Sequence, residues 1–193
     1  MQVHELFTTK IYSFKLDLDL NRLVSKINTF SHKVEKQERS NMGGYQGHGF
    51  EDKELEKAIK ESIPKKREDG LEIDDFELQT WVNINYPGCY NLPHEHICRG
   101  SFLSGVFYVR VPPNSGKLLL HDPRSYMQLK SEDMMYYNYG NHVMELHPEE
   151  NELVFFPSWL IHEVEQNAAD TNRYSISFNV LNVTYAYDKK NEH

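Results

Sequence analysis

Phe76-Glu77-Leu78-Gln79-Thr80-Trp81-Val82-Asn83-Ile84-Asn85-Tyr86 alternates without a break. In an extended chain Phe76, Leu78, Thr80, Val82, Ile84 and Tyr86 share one face, and Glu77, Gln79, Trp81, Asn83 and Asn85 share the other. One apolar face and one mostly polar face fit a β-barrel strand whose second face lines a cavity. Downstream, residues 102–111, 117–121, 142–147, 151–156 and 173–184 read as further short strands. Turn compositions separate them: Pro112-Pro113-Asn114-Ser115-Gly116, Asn138-Tyr139-Gly140-Asn141 and His147-Pro148-Glu149-Glu150. Short, evenly spaced strands predict a sandwich, jelly roll or barrel rather than a parallel α/β sheet.

Upstream, residues 2–18 alternate loosely and predict one or two strands. From Asp19 the apolar positions become Leu20, Leu23, Val24, Ile27 and Phe30, one stripe of a helix. Residues 37–50, with Gly43-Gly44, Gly47 and Gly49, have the composition of a loop. A second helix is predicted over 51–63, from Leu55, Ile59 and Ile63 and the acids in its first turn. Pro64 and the charge run Lys65 to Asp69 end it as a solvated exit. The expected organisation is one domain over 1–193, in which strand and helices of 1–70 support a β-core over 71–185. No internal repeat interrupts it.

The chain has 193 residues, of which 39% are hydrophobic and 12% aromatic, enough for a packed core. Twenty-one Lys and Arg face 29 Asp and Glu, a net charge of −8, which disfavours a nucleic-acid partner. Two cysteines, Cys89 and Cys98, make no disulfide framework. The first residues lack the pattern of a secretory leader. The most apolar stretch, Leu153 to Ile161, contains Pro157 and is too short to cross a bilayer. The expectation is a soluble, cytoplasmic protein with no membrane association; a homodimer is left open.

The strongest chemical signal is Asn91-Leu92-Pro93-His94-Glu95-His96. His94 and His96 share a face of an extended chain and Glu95 points away. Two imidazoles hold a divalent metal weakly, so a third ligand is expected from a distant strand. His162, at the end of Phe155-Phe156-Pro157-Ser158-Trp159-Leu160-Ile161-His162, is the candidate. A surface histidine pair is the competing reading. Cys98 has the parity of a soft ligand, though packing is the simpler role for a cysteine. His121 reads either as lining the site or as capping a turn. His4, His32, His48, His142, His147 and His193 have no convergent partner in sequence and read as surface or structural.

The second signal is Asn172-Arg173-Tyr174-Ser175-Ile176-Ser177-Phe178-Asn179. Arg173, Ser175, Ser177 and Asn179 share one face. An arginine pointing into a barrel is costly unless it meets a carboxylate, which a protein acid or a bound cosubstrate can supply. The eleven residues from His162 to Arg173 suit a strand returning through a turn to the next, with the anion clamp beside the metal.

Taken in order, Asn91 to His96, Ser104 to Val109, Asp122 to Arg124, Phe156 to His162 and Arg173 to Asn179 resemble the Fe(II)/2-oxoglutarate-dependent oxygenase superfamily. More closely, they resemble a bacterial and phage branch of it with a His-x-His motif. The resemblance spans roughly residues 76–184. It implies a mainly β (α+β) chain with a double-stranded β-helix, or jelly roll, core and N-terminal helices packed on it. It implies Fe(II), 2-oxoglutarate as cosubstrate and O₂, with His94 and His162 as metal ligands and Arg173 and Ser175 binding the far carboxylate of 2-oxoglutarate. At His96 the superfamily has an acid. A three-histidine site of His94, His96 and His162 is the favoured reading, and a two-histidine site with His96 beside it the other. Tyr108 either adds a hydroxyl to the cosubstrate carboxylate or packs. Asn83 and Asn85 are placed to face substrate. The implied reaction decarboxylates 2-oxoglutarate to succinate and CO₂ while hydroxylating a peptidyl or small-molecule substrate. Two rivals remain at this stage. One is a cupin-type three-histidine dioxygenase that does not use 2-oxoglutarate; the other is a non-catalytic β-barrel metal-binding module.

Overall fold

The computed structural model describes residue 2 and residues 8–66, 72–97, 100–124 and 143–186. Cys98, His4, His142 and the turn expected at 138–141 lie outside them. Two antiparallel sheets face each other as a double-stranded β-helix. The six-stranded sheet has the order β1 (Tyr12–Lys15), β9 (Glu152–Pro157), β6 (Leu103–Arg110), β11 (Arg173–Ala186), β4 (Glu72–Asn85), β3 (Tyr45–His48). The five-stranded sheet has the order β2 (Asn41–Met42), β5 (Tyr90–His94), β10 (His162–Val164), β7 (Leu118–His121), β8 (Val143–Leu146). Helices α1 (Leu20–Ser31) and α2 (Lys53–Ser62) complete the described elements. Among the described residues no helix is long and apolar enough to cross a membrane.

Alternation on the larger sheet separates core from cavity. Val82, Ile84, Phe107, Val109, Phe155, Ile176 and Phe178 turn outward and join Leu23 and Ile27 of α1 and Leu55 and Ile59 of α2 in one buried cluster. The opposite parity, Tyr108, Val154 and Phe156, meets Leu118, Leu120 and Leu160 between the sheets in a second cluster. Both faces of β9 are therefore covered, which is why Leu153-Val154-Phe155-Phe156 is apolar without alternation. Truncating a fully buried side chain of the outer cluster, such as Phe178 to Ala, would cost about 3–5 kcal/mol.

Asp52 ties the helices together. It caps α2 by accepting from the Leu55 amide at 3.1 Å, and it receives Arg22 Nη1 at 2.6 Å and Lys26 Nζ at 2.9 Å from α1. Burial alone pushes its carboxyl pKa up; the hydrogen bonds from Arg22, Lys26 and the Leu55 amide outweigh that and hold it well below the usual 3.8. A depressed folded-state pKa contributes stability that is complete above the unfolded value and is lost as pH falls below about 4. Asp52→Ala is expected to cost ~2–4 kcal/mol, since it removes a cap and strands two cations. Urea denaturation checks the loss, and Asp52→Asn should flatten the decline of stability in acid.

Three sequence expectations change. Residues 37–50 are not only loop: Gly43 and Gly44, with φ of 80° and 39°, turn the chain from β2 in one sheet into β3 in the other. Two- and four-residue strands carry too few alternating positions to read from sequence, and the glycines that make the turn mask them. The same brevity hides β10, of three residues. Finally, β10 and β11 are not neighbours, since residues 165–172 cross from the smaller sheet to the larger. Buried Asn167 fastens that crossing, donating to the Asn85 and Thr171 carbonyls at 2.8 and 2.9 Å.

Candidate metal and cosubstrate site

His94 ends β5 directly opposite His162 in β10. The turn from Pro157 to Leu160, closed by Leu160 N donating to the Pro157 carbonyl at 3.0 Å, carries the chain from β9 into β10 and so delivers His162 from one sheet to the other. His96 lies past β5, where its amide donates to the Ser158 carbonyl at 2.8 Å. The three rings converge: a nitrogen of each lies within 4.8 Å of the others, and the ring centroids stand 4.3 to 5.1 Å apart.

The imidazoles are prepared to accept a cation. His94 Nδ1 lies 2.7 Å from the Leu92 carbonyl and His162 Nδ1 lies 2.9 Å from the Leu160 carbonyl. A carbonyl only accepts, so Nδ1 carries the proton and Nε2 keeps its lone pair. Burial pushes His162 down to about 3 and His96 down to about 4, with the neighbouring imidazoles adding to it, and burial lowers His94 as well. All three are neutral at pH 7. Glu95 is exposed and its carboxylate caps the Ile97 amide, so it turns away as its parity predicts. Three neutral nitrogen donors on one side of a point suit a divalent transition metal and leave coordination positions open.

His96 differs from the other two. Its ring finds no hydrogen-bond partner among the described residues. It packs instead between His162 and Trp81, at centroid distances of 5.1 and 5.5 Å. Trp81 in turn stacks on His48 at 5.4 Å and 19°. His48, read from sequence as surface or structural, therefore belongs to the wall of the site. Its partner is set by the register of β3 on β4, where His48 faces Trp81, and no sequence signal marked β3.

Across the cavity, on the larger sheet, Arg173 is 2% exposed. Nη1 donates to the Ser115 and Gly116 carbonyls at 3.2 and 3.3 Å, and Nη2 to Asn85 Oδ1 at 3.2 Å. Gly116 holds that carbonyl in place through a φ of 90°, where a side chain would be strained and would press on Glu165. Among the described residues Nε has no partner and no carboxylate pairs with the guanidinium. Burial works against its charge. A buried cation met only by neutral acceptors is a site prepared for an anion. Ser175 and Tyr108 stand next along the same inward face, as a directly paired β11–β6 couple. Burial pushes the Tyr108 hydroxyl above its usual pKa, so it stays a donor.

The two ends share one cavity of about 730 Å³, lined by His94, His96, His162, Arg173, Ser175 and Tyr108 among others, a size that suits a small ligand. A polar chain joins them. Asn85 Nδ2 donates to Asn91 Oδ1 at 3.1 Å, Asn91 Nδ2 to Ser40 Oγ at 3.3 Å, and Ser40 Oγ lies 3.4 Å from His94 Nε2. Asn83 and Asn85 both line the cavity, Asn85 engaged with Arg173 and Asn91 and Asn83 with Ser177 Oγ at 2.9 Å. His121 does not line the cavity. Strand parity turns it outward with Glu163, whose Oε1 it meets at 3.0 Å.

Residues 79–179 match the sequence family described as "Putative 2OG-Fe(II) oxygenase". No match was found among curated proteins. Among solved structures, similarity extends to a prolyl hydroxylase from Trichoplax adhaerens in complex with a hypoxia-inducible-factor peptide fragment. That likeness has a TM-score of 0.66 at 17% identity, over 90% of this chain and 84% of that one. A Pseudomonas putida prolyl-4-hydroxylase gives 0.57 at 15% identity, over 90% and 93%. The α-ketoglutarate-dependent carbocyclase SnoK from nogalamycin biosynthesis gives 0.60 at 12%, over 96% and 85%. At these identities the likeness is one of fold.

Proposed function

This chain belongs to the 2OG-Fe(II) oxygenase family, and on that premise we propose that His94, His96 and His162 hold its iron while Arg173, Ser175 and Tyr108 receive 2-oxoglutarate. The chain is an oxidoreductase that depends on Fe(II), 2-oxoglutarate and O₂. The observation that carries the residue assignment is the pairing, in one cavity, of three convergent neutral imidazoles with a buried arginine that no acid among the described residues meets. Bound there, the iron would supply the oxidation, in which one oxygen atom of O₂ enters the substrate and the other enters succinate as CO₂ leaves.

The protein's own groups do the rest. The Leu92 and Leu160 carbonyls fix the tautomers of His94 and His162, aiming Nε2 inward. Arg173 Nε and the Ser175 and Tyr108 hydroxyls offer donors to the far carboxylate. Val154, Phe156 and Leu118 pack between the sheets and contribute the apolar part of that space. The substrate is peptidyl or a small molecule. The prolyl hydroxylases and the carbocyclase of similar fold span both classes. Neither the cupin reading nor the non-catalytic one has an observation in its favour once the family is known.

Anaerobic titration of Fe(II) and 2-oxoglutarate, watched for the metal-to-ligand charge-transfer band and followed by a succinate assay in air, tests the proposal. Alanine at His94, His96 or His162 is expected to weaken iron binding by more than the ~10–100-fold that outer contacts cost. Glu95→Ala should bind iron as the parent does. Normal iron content in all three histidine variants would remove the proposed centre.

A further inference from the structure

The cavity has a third wall, apart from the residues proposed for iron and 2-oxoglutarate. It is built by β3, the segment that sequence read as loop. Gln46 faces Asn83 across the β3–β4 pair, and Asn83 faces Ser175 across β4–β11, so Gln46 stands on the sheet rung that leads to the cosubstrate end. His48, two residues on, leads through Trp81 to His96 and the metal end. Gln46 thus lies on the same wall as Ser175, two strands away, and as His48, two residues away.

The side chain itself is 5% exposed and lines the cavity. Its Nε2 lies 3.4 Å from His48 Nε2, but its Oε1 is buried with no partner among the described residues. A buried amide oxygen left unsatisfied costs about 1–3 kcal/mol. Other amide oxygens of this cavity do find donors: Asn179 Oδ1 accepts from Ser104 at 2.7 Å, Asn91 Oδ1 from Asn85 and Asn85 Oδ1 from Arg173. The main chain fixes Gln46 where it is, since its carbonyl accepts from the Gln37 amide at 2.9 Å.

The charges on the wall narrow what the missing donor is. Arg39 lines the mouth and Arg173 the far end, and Glu95, the one acid among the described lining residues, is turned to the Ile97 amide. With the 2-oxoglutarate dianion offsetting Arg173 and the proposed iron, an ammonium entering here would still meet the Arg39 guanidinium, and Glu95 is already engaged by the Ile97 amide.

Resting on the proposed function, we infer that Gln46 is a substrate-positioning residue whose amide oxygen accepts a hydrogen bond from an uncharged donor of the substrate, an amide N–H or a hydroxyl. The wall thereby selects neutral, hydrogen-bonding substrates and holds them between His96 and Ser175.

The test uses the anaerobic Fe(II)- and 2-oxoglutarate-loaded protein and two matched pairs of ring probes, titrated by calorimetry. δ-Valerolactam and δ-valerolactone differ in an N–H; cyclohexanol and cyclohexanone differ in an O–H. The parent protein is expected to favour the donor of at least one pair about tenfold, the effect of one buried hydrogen bond; which pair responds separates amide from hydroxyl. Gln46→Leu should bring the donor probe down to the affinity of its partner while the partner's own affinity stays, which also shows that the wall is intact. Gln46→Glu, which keeps an acceptor, should keep the preference. Equal affinities within both pairs in the parent, no binding of any probe, or a preference that survives in Gln46→Leu overturns the assignment. Failure of the parent to bind 2-oxoglutarate in the loading step would instead overturn the proposed function.

Discussion

Arg173→Ala is expected to weaken 2-oxoglutarate binding by about 2–5 kcal/mol, tens to thousands of fold, with little change in iron content. The size follows from burial. The guanidinium is 2% exposed, and its desolvation is borne by the fold whether or not a ligand is present. An arriving carboxylate therefore gains the charge-assisted bond without a fresh cost on the protein side. Three contacts to neutral oxygens, at 3.2, 3.3 and 3.2 Å, hold the fork in place and leave Nε for the ligand. Arg173→Lys should recover only part of the loss, because an ammonium cannot keep the Ser115, Gly116 and Asn85 contacts and also present a planar fork. Iron should be spared, because the three histidines sit on the smaller sheet or beyond its edge and Arg173 on the larger. Calorimetry with 2-oxoglutarate on the iron-loaded variants measures this. Unchanged affinity in Arg173→Ala would take Arg173 out of the site and leave the anion clamp without a residue.

The parts of this site that were legible in sequence are those where one strand has two different duties. On β4 and β11 the outward residues fill the core and the inward ones line the cavity, so alternation exposes both the fold and Arg173, Ser175, Ser177 and Asn179. His94 and His96 were legible by the same alternation, and His162 as the residue reached by an apolar strand that Pro157 ends; the carbonyls that orient His94 and His162 lie two residues before each. What was not legible is whatever depends on two short segments meeting. Ser40, Gln46 and His48 come from a glycine-rich stretch whose strands have two and four residues, and their places in the wall are set by pairing with β5 and β4. Asn85 was seen on the right face and it lines the cavity, but its bonds to Arg173 and Asn91 were not legible, because they are fixed by sheet register rather than by spacing. The same limit explains the reading of 162–173 as a simple return. A count of residues does not tell whether a connection stays in its sheet or changes sheets, and here it changes.

His96→Asp tests the one position where this chain departs from the superfamily it resembles. We expect the variant to retain iron within about tenfold of the parent and to bind 2-oxoglutarate, whereas His96→Ala loses iron outright. Two effects oppose each other. A carboxylate adds a negative charge beside a divalent cation in a cavity of low dielectric, which favours the metal strongly. Aspartate is also shorter than histidine and gives up the packing of the ring on Trp81 and His162. The charge should win because the backbone at 96 is already pinned by its bond to the Ser158 carbonyl, and because the histidine ring has no hydrogen bond to lose among the described residues. The cost should appear elsewhere: the added charge repels the 2-oxoglutarate dianion and should weaken it modestly, while Arg173, in the opposite sheet, still holds the far carboxylate. Iron stoichiometry and 2-oxoglutarate calorimetry on the same samples read both quantities. Loss of iron in His96→Asp to the level of His96→Ala would mean that the pocket is shaped around a third imidazole. Normal iron in His96→Ala would mean that position 96 is not a ligand at all, which leaves the two-histidine site. Full iron in His96→Asp with no 2-oxoglutarate binding would keep position 96 as a ligand and sink the cosubstrate assignment, since an intact metal centre and an untouched Arg173 should then have captured it.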